Sequence, residues 1–282
     1  MNLKAIISFA VVGLMYISLT LTNCHANILK NNTNFVASKI EENHDIRINL
    51  ESTKNTRDLG NYKTFSSQIT RCKTFLRSDN TNCLTESDIQ KLTNEYNLKT
   101  VIDLRSNSGV KKTPDKLSEV DGITYHHIPL MISNKEIVRD LFEIAIKKSD
   151  VGKVYTDILS HKDSIKKIFD TITDSEDGCI LFHCTHGKDR TGIVASLLLD
   201  LVGVSRKDII ENYAITSELL DADCETKISL KTRIDRYFKS LPVYIDELMN
   251  YIDDNYGSTT DYLLSCGISQ ENLDKIKNRF VI

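Results

Sequence analysis

The sequence predicts an α/β fold, a central and mostly parallel sheet flanked by helices, from two short apolar runs and the helical patterns around them. Lys99-Thr100-Val101-Ile102-Asp103-Leu104 and Cys179-Ile180-Leu181-Phe182-His183 are bounded by polar residues and have the length and composition of core strands. Strands that alternate with helices make parallel sheets with both faces covered. In chain order, the first helix is expected over 85–94, where Thr85-Glu86-Ser87-Asp88 supplies a Thr-x-x-Asp cap. The first strand follows. Residues 135–148 carry apolar side chains at 137, 138, 141, 142, 144 and 145, near helical spacing, and 164–173 repeats the pattern. The polar cluster at 173–178 then gives way to the second strand, and a helix is expected over 191–202. Beyond residue 205 only helices are expected, over 206–221, 227–239, 243–254, 259–266 and 270–280.

The 282 residues are 40% hydrophobic, enough for a sizeable core. Lys and Arg number 36 against 39 Asp and Glu, a formal net charge of −3, so the chain lacks the basic footprint of a nucleic-acid binder. The N-terminus starts MNLK and continues through an uncharged apolar stretch, residues 5–22, to Cys24-His25-Ala26. A basic start, an apolar centre and a small residue before the cut are the marks of a secretory signal peptide, with cleavage expected after Ala26. The chain is therefore expected to be secreted or periplasmic. The alternative is a membrane anchor formed by residues 5–22, which is close to the minimum length for a span. The expected organisation is a signal peptide at 1–26, an exposed polar leader at 27–45, and one domain at 46–282. Of the seven cysteines, Cys179 lies in a buried-strand pattern and reads as a small hydrophobe.

The chemistry-bearing stretch is His183-Cys184-Thr185-His186-Gly187-Lys188-Asp189-Arg190-Thr191-Gly192, between the second strand and the helix after it. A loop there exposes backbone N–H groups, and the positive end of the helix dipole faces it, so the loop is suited to a phosphate. Gly187 lets the backbone curl without a Cβ clash. Arg190 offers a fork of donors for two phosphate oxygens. The same positive field favours a thiolate at Cys184, placed for in-line attack on phosphorus. Phosphate contacts are expected from Thr185, His186, Gly187, Lys188, Asp189 and Arg190. A zinc site from His183, Cys184 and His186 would require neighbours on one loop to face one ion, with no Cys-x-x-Cys partner. No metal and no cofactor are expected.

This run resembles the active-site loop of the cysteine-based tyrosine phosphatase superfamily. More narrowly, it is similar to the atypical bacterial and fungal tyrosine-protein phosphatases, whose loop reads His-Cys-x-x-Gly-Lys-Asp-Arg-Thr-Gly. Asn55-Thr56-Arg57-Asp58-Leu59-Gly60-Asn61-Tyr62, Leu76-Arg77-Ser78, Val101-Ile102-Asp103-Leu104-Arg105-Ser106 and Ile128-Pro129-Leu130 also match the family, although Asn61 stands where glycine is usual. The resemblance covers residues 48–282. It implies a parallel sheet of four to five strands with a helical C-terminal part, and a two-step phosphomonoester hydrolysis through a phosphocysteine. In that scheme Cys184 is the nucleophile and Arg190 stabilises the transition state. His183 orients the loop and tunes the thiol, and Thr191 donates to the sulfur. The resemblance implies Asp189 as the acid, the role proposed for it in close relatives of the subgroup; residues 128–133 carry no aspartate where a separate acid loop would begin, and Asp140, Asp150 and Asp157 sit in helix-like sequence. The implied substrates are a phosphotyrosine protein, with dual specificity open, or a phosphoinositide, which the family associates with the Gly-Lys-Asp-Arg form. Arg57, Asp58, Asp103 and Arg105 read as buried charge pairs that brace the loop. A phosphate-binding module without activity is the rival reading, and intact Cys184 and Arg190 argue against it.

Overall fold

The computed structural model describes residues 47–130, 151–221 and 240–282, which belong to one compact unit, Ile46–Ile282. The signal peptide, the leader and the helices expected at 135–148 and 227–239 lie outside the described residues.

Five strands form the sheet: β1 (Arg57–Asp58), β2 (Phe75–Ser78), β3 (Leu98–Asp103), β4 (Thr124–His127) and β5 (Cys179–His183), in the order β1-β2-β5-β3-β4. β5 runs parallel to both of its neighbours and β4 parallel to β3; only β1 is antiparallel. The sequence explains this order. All five residues of β5 are buried, as a charge-free apolar run demands, so it takes the centre. The two-residue β1 and the half-exposed Thr-Tyr-His-His of β4 take the edges. Along β5 the side chains alternate. Ile180 and Phe182 enter the larger core with Phe75, while Cys179 and Leu181 enter the smaller one with Leu76 and Val101. Cys179 is thus the small core hydrophobe expected of it, and burial raises its thiol well above the ordinary value.

Helix α1 (Glu86–Asn94) carries the expected capping box, with Thr85 and Asp88 each bonding the other's backbone N–H. α2 (Asn107–Lys112) follows β3. α3 (Val151–Ser160) and α4 (Lys162–Asp174) precede β5. α5 (Asp189–Leu201) is buried nearly all round, which places it inside the molecule. It begins two residues before the expected start, because the Gly192 N–H bonds the Lys188 carbonyl at 2.6 Å and closes the first turn around Asp189 and Arg190. The helix expected over 206–221 is two, α6 (Arg206–Ala214) and α7 (Thr216–Asp221). α8 (Pro242–Tyr256), α9 (Thr259–Ser265) and α10 (Gln270–Phe280) match the expected C-terminal helices. No helix of the described residues is long and apolar enough to cross a membrane.

The C-terminal helix locks onto the sheet through Phe280, whose ring meets Phe75 edge-on with centroids 4.7 Å apart, both fully buried. Phe280→Ala should cost about 3–5 kcal/mol of unfolding free energy, measured as a lower guanidinium midpoint at unchanged denaturant slope.

Candidate active site

β5 ends at the centre of the sheet and delivers Cys184 to the loop before α5, with only 3% of the residue exposed. Lys188, at the N-cap, makes no side-chain cap hydrogen bond, so no cap blocks the first N–H groups of α5. Gly187 has φ +62, and a Cβ there would lie 2.6 Å from the Ser78 carbonyl oxygen at the end of β2. The loop can therefore press against β2 only with glycine at this position.

Arg190 sits in the first turn of α5. Its Nη1 donates to the Leu104 carbonyl at 3.0 Å and its Nη2 to Thr185 Oγ1 at 3.3 Å, which holds the guanidinium over the loop. Burial by itself would raise the Cys184 thiol. The Arg190 charge, with the side-chain and backbone donors of Thr191, outweighs it and brings the thiol below its ordinary value, against an opposing push from Asp189. The Thr191 hydroxyl is buried beside the thiol, and its donor is among the groups that lower the Cys184 ionisation.

Behind the loop, His183 is fully buried. Its Nε2 lies 2.9 Å from Asp115 and 3.8 Å from Asp103. Arg105 reaches both carboxylates, at 2.6 Å and 3.4 Å, and Thr81 donates to Asp115 at 2.5 Å. The two aspartates and His183 are close enough together for a metal ion, and the Arg105 guanidinium already supplies cationic charge among them. Desolvation works against charge here but loses. The Arg105 fork, His183 and the Tyr125 hydroxyl hold the Asp103 carboxyl down at about 2. Desolvation alone would lower His183, yet the bond and charge of Asp115 raise it above the ordinary imidazole value.

Asp189 is half-exposed. Its Oδ1 accepts from the Tyr155 hydroxyl at 2.5 Å, and that hydroxyl also bonds Tyr213. Lys188 is buried and approaches the same oxygen to 3.5 Å. Thr185 and His186 are exposed at the rim; partial desolvation of the ring, and then the Lys188 charge, lower the His186 imidazole. The loop residues are thus brought together, and Asp103 pairs with Arg105. Arg57 and Asp58 do not pair, because successive strand residues point to opposite faces. Asp58 accepts from the Gly60 and Lys73 N–H groups, and Arg57 bonds Asn212 and Thr216. Sequence reasoning passed over Asn55, Asp115, Tyr155 and Asn212. Asn55 lay inside a matching motif. No local signal marks the other three, whose contacts join distant parts of the chain.

A buried thiol whose ionisation is favoured by a neighbouring guanidinium, on a loop between a parallel strand and a helix N-terminus, is the arrangement of a cysteine-dependent phosphatase. A family model described as "Tyrosine phosphatase family" matches residues 48–282. A tyrosine-protein phosphatase of Nostoc commune is 31% identical over 219 residues, 73% of each chain. A "Triple specificity protein phosphatase PtpB" of Mycobacterium tuberculosis is 31% identical over 116 residues, 35% of this chain and 42% of that one. A Pseudomonas aeruginosa structure, TpbA, aligns over 71% of this chain and 91% of its own at 13% identity, with a TM-score of 0.37. The chain belongs to the tyrosine phosphatase family, and it is a protein-tyrosine phosphatase.

The His183–Asp115 contact has a pH signature. Because His183 titrates above its ordinary 6.5 in the folded chain, its contribution to stability is complete below pH 6.5 and is lost as pH rises through the folded value. Asp115 titrates below its ordinary 3.8, so its contribution is lost as pH falls beneath that range. The stability difference between the wild type and Asp115→Asn should therefore peak between pH 4 and 6.5 and shrink on either side. Urea unfolding across pH, with the His183 imidazole followed by NMR, measures it; in the variant that resonance should titrate at lower pH.

Proposed function

We propose that this phosphatase cleaves phosphotyrosine by two displacements at phosphorus. The Cys184 thiolate attacks the phosphorus while the P–O bond to the tyrosyl oxygen breaks. The leaving oxygen takes a proton from the Asp189 carboxyl, which Tyr155 orients through Oδ1. Arg190 and the loop N–H groups stabilise the equatorial oxygens. Water then attacks the phosphocysteine and gives its proton to the Asp189 carboxylate. The P–S bond breaks, inorganic phosphate leaves, and the thiolate returns with the Thr191 hydroxyl donating to it. His183 holds the loop through Asp115 rather than moving protons. The observation that carries this reading is the buried Cys184, whose ionisation Arg190 and Thr191 favour strongly enough to overcome desolvation.

Cys184→Ser should abolish hydrolysis of a phosphotyrosine peptide, by roughly 10,000-fold or more. Asp189→Asn should lose about 100-fold or more in kcat and flatten the pH–rate profile. Unchanged pH dependence in Asp189→Asn would reject that residue as the acid. Lys188, drawn in beside the loop, suits a further phosphate, so a phosphoinositide is the second substrate proposed. Parallel rates on phosphotyrosine peptide and on phosphoinositide vesicles set the order of the two.

We further propose that the chain is exported, on the strength of the apolar residues 5–22 and the small Ala26. Expression of the full chain should give a mature N-terminus at Asn27 by terminal sequencing. An intact, membrane-bound N-terminus would support an anchor instead.

A further inference from the structure

Arg57 and Arg77 are directly opposed across the β1–β2 pair, and both are fully buried. Two guanidiniums side by side in a protein interior normally require carboxylates. Among the described residues neither has one within ion-pair distance. Arg57 donates from Nη1 to the Asn212 carbonyl at 2.8 Å and from Nη2 to Thr216 Oγ1 at 2.9 Å. Arg77 donates from Nη1 to Asn212 Oδ1 at 2.6 Å and from Nη2 to the Gly187 carbonyl at 2.6 Å. Both Nε atoms are buried without a partner. Asp79 is the carboxylate whose charge reaches Arg57, but its oxygens accept from the Lys54 and Asn55 N–H groups. Neutral acceptors thus bond all four terminal nitrogens of the two side chains, and among the described residues the double positive charge is left without a paired carboxylate.

The bond to Gly187 explains what this arrangement does. In a planar trans peptide, the carbonyl and the following N–H point in opposite directions. Arg77 draws the Gly187 carbonyl to the back of the loop, so the Lys188 N–H is turned to the front. Asn55 Nδ2 acts in the same way on the His186 carbonyl at 2.9 Å, turning the Gly187 N–H forward, and also bonds the Gly187 carbonyl at 3.1 Å. Released, those carbonyl oxygens would be free to face a bound phosphate and repel it.

We propose that Arg77, backed by Arg57, is a positioning residue of the phosphate cradle: it fixes the Gly187 peptide from behind, and the pair's uncompensated charge is balanced by the Cys184 thiolate and the bound phosphate. This rests on Cys184 being the nucleophile. The other groups that bear on that sulfur are Arg190, Thr191 and Asp189 of α5, and those that bear on Arg77 are Tyr62, Tyr155 and Tyr213. Cys184 is among the groups whose negative charge opposes the lowering that burial imposes on Arg77, which comes down to about 10.

Asn212→Asp tests this with little change of shape. It places a carboxylate where Asn212 Oδ1 already accepts from Arg77, and Tyr62, which now accepts from Asn212 Nδ2 at 2.9 Å, can turn its hydroxyl to donate. The variant should melt no lower than the wild type. Its Cys184 thiol, followed by iodoacetamide alkylation against pH with Cys184→Ser as background, should ionise about one unit higher. Inorganic phosphate, titrated by calorimetry, should bind about tenfold more weakly. Arg57→Met, which removes one charge without touching the loop, should move both readouts the same way by a smaller amount. Unchanged thiol ionisation and phosphate affinity in both folded variants would overturn the proposal and leave the pair as scaffolding. If Asn212→Asp fails to fold, Arg57→Met decides by the same two measurements. A Cys184→Ser protein that kept full activity would instead overturn the cysteine mechanism itself.

Discussion

A buried thiol whose ionisation has to be favoured against desolvation sets the terms for everything around it. Burial pushes the thiol toward its neutral form, so every group that faces it has to offer positive charge or a hydrogen-bond donor. A loop of peptides can supply donors only if its carbonyls point elsewhere, and those carbonyls then need partners of their own. Asn55 and Arg77 are those partners for the His186 and Gly187 carbonyls, and the Leu104 carbonyl after β3 anchors Arg190. The central place of β5 follows from the same need. Only there can β2 on one side and β3 on the other both send residues to the rim of one loop.

Charge behind the loop is handled in two different ways. On the β3 side, Asp103, Arg105, Asp115 and His183 form a closed cluster in which each charge meets an opposite one, with Thr81 and Tyr125 completing the bonds. Such a cluster is costly to assemble but holds a single geometry once formed, which suits the residue next to Cys184. On the β2 side, Arg57 and Arg77 are bonded chiefly to neutral oxygens, and their charge remains. The first arrangement orients the His183 ring through Asp115, and the second leaves positive charge beside the loop. Both press on the five residues between Cys184 and Arg190, so the loop's shape is determined from outside as much as by its own sequence.

The loop carboxylate also shows how little spacing along the chain says about the orientation of a side chain. Asp189 lies inside the loop, but its carboxylate is directed by Tyr155 of α3, which in turn bonds Tyr213 of α6. Burial raises both tyrosines well above the ordinary phenol value, which keeps them as neutral donors. The orientation of one carboxylate thus depends on two helices on opposite sides of it in the chain.

The sequence alone determined the α/β class, the two central strands, most helix boundaries to within a few residues, and the cysteine-to-arginine loop. These are local properties: apolar run length, cap residues, helical spacing, and a motif whose members are covalent neighbours. It did not reveal β1, β2 and β4, which are too short or too polar for periodicity to register, nor where α5 begins, which the Lys188 carbonyl decides. It also read Arg57 and Asp58 as members of buried charge pairs, whereas Arg57 bonds Asn212 and Thr216 and Asp58 accepts from backbone N–H groups. Only the tertiary structure brought Asp115 to His183, Asn55 and Arg77 to the loop carbonyls, and Asn212 to the two arginines. Those contacts form because the sheet order sets distant segments side by side, and no pattern along the chain encodes that proximity.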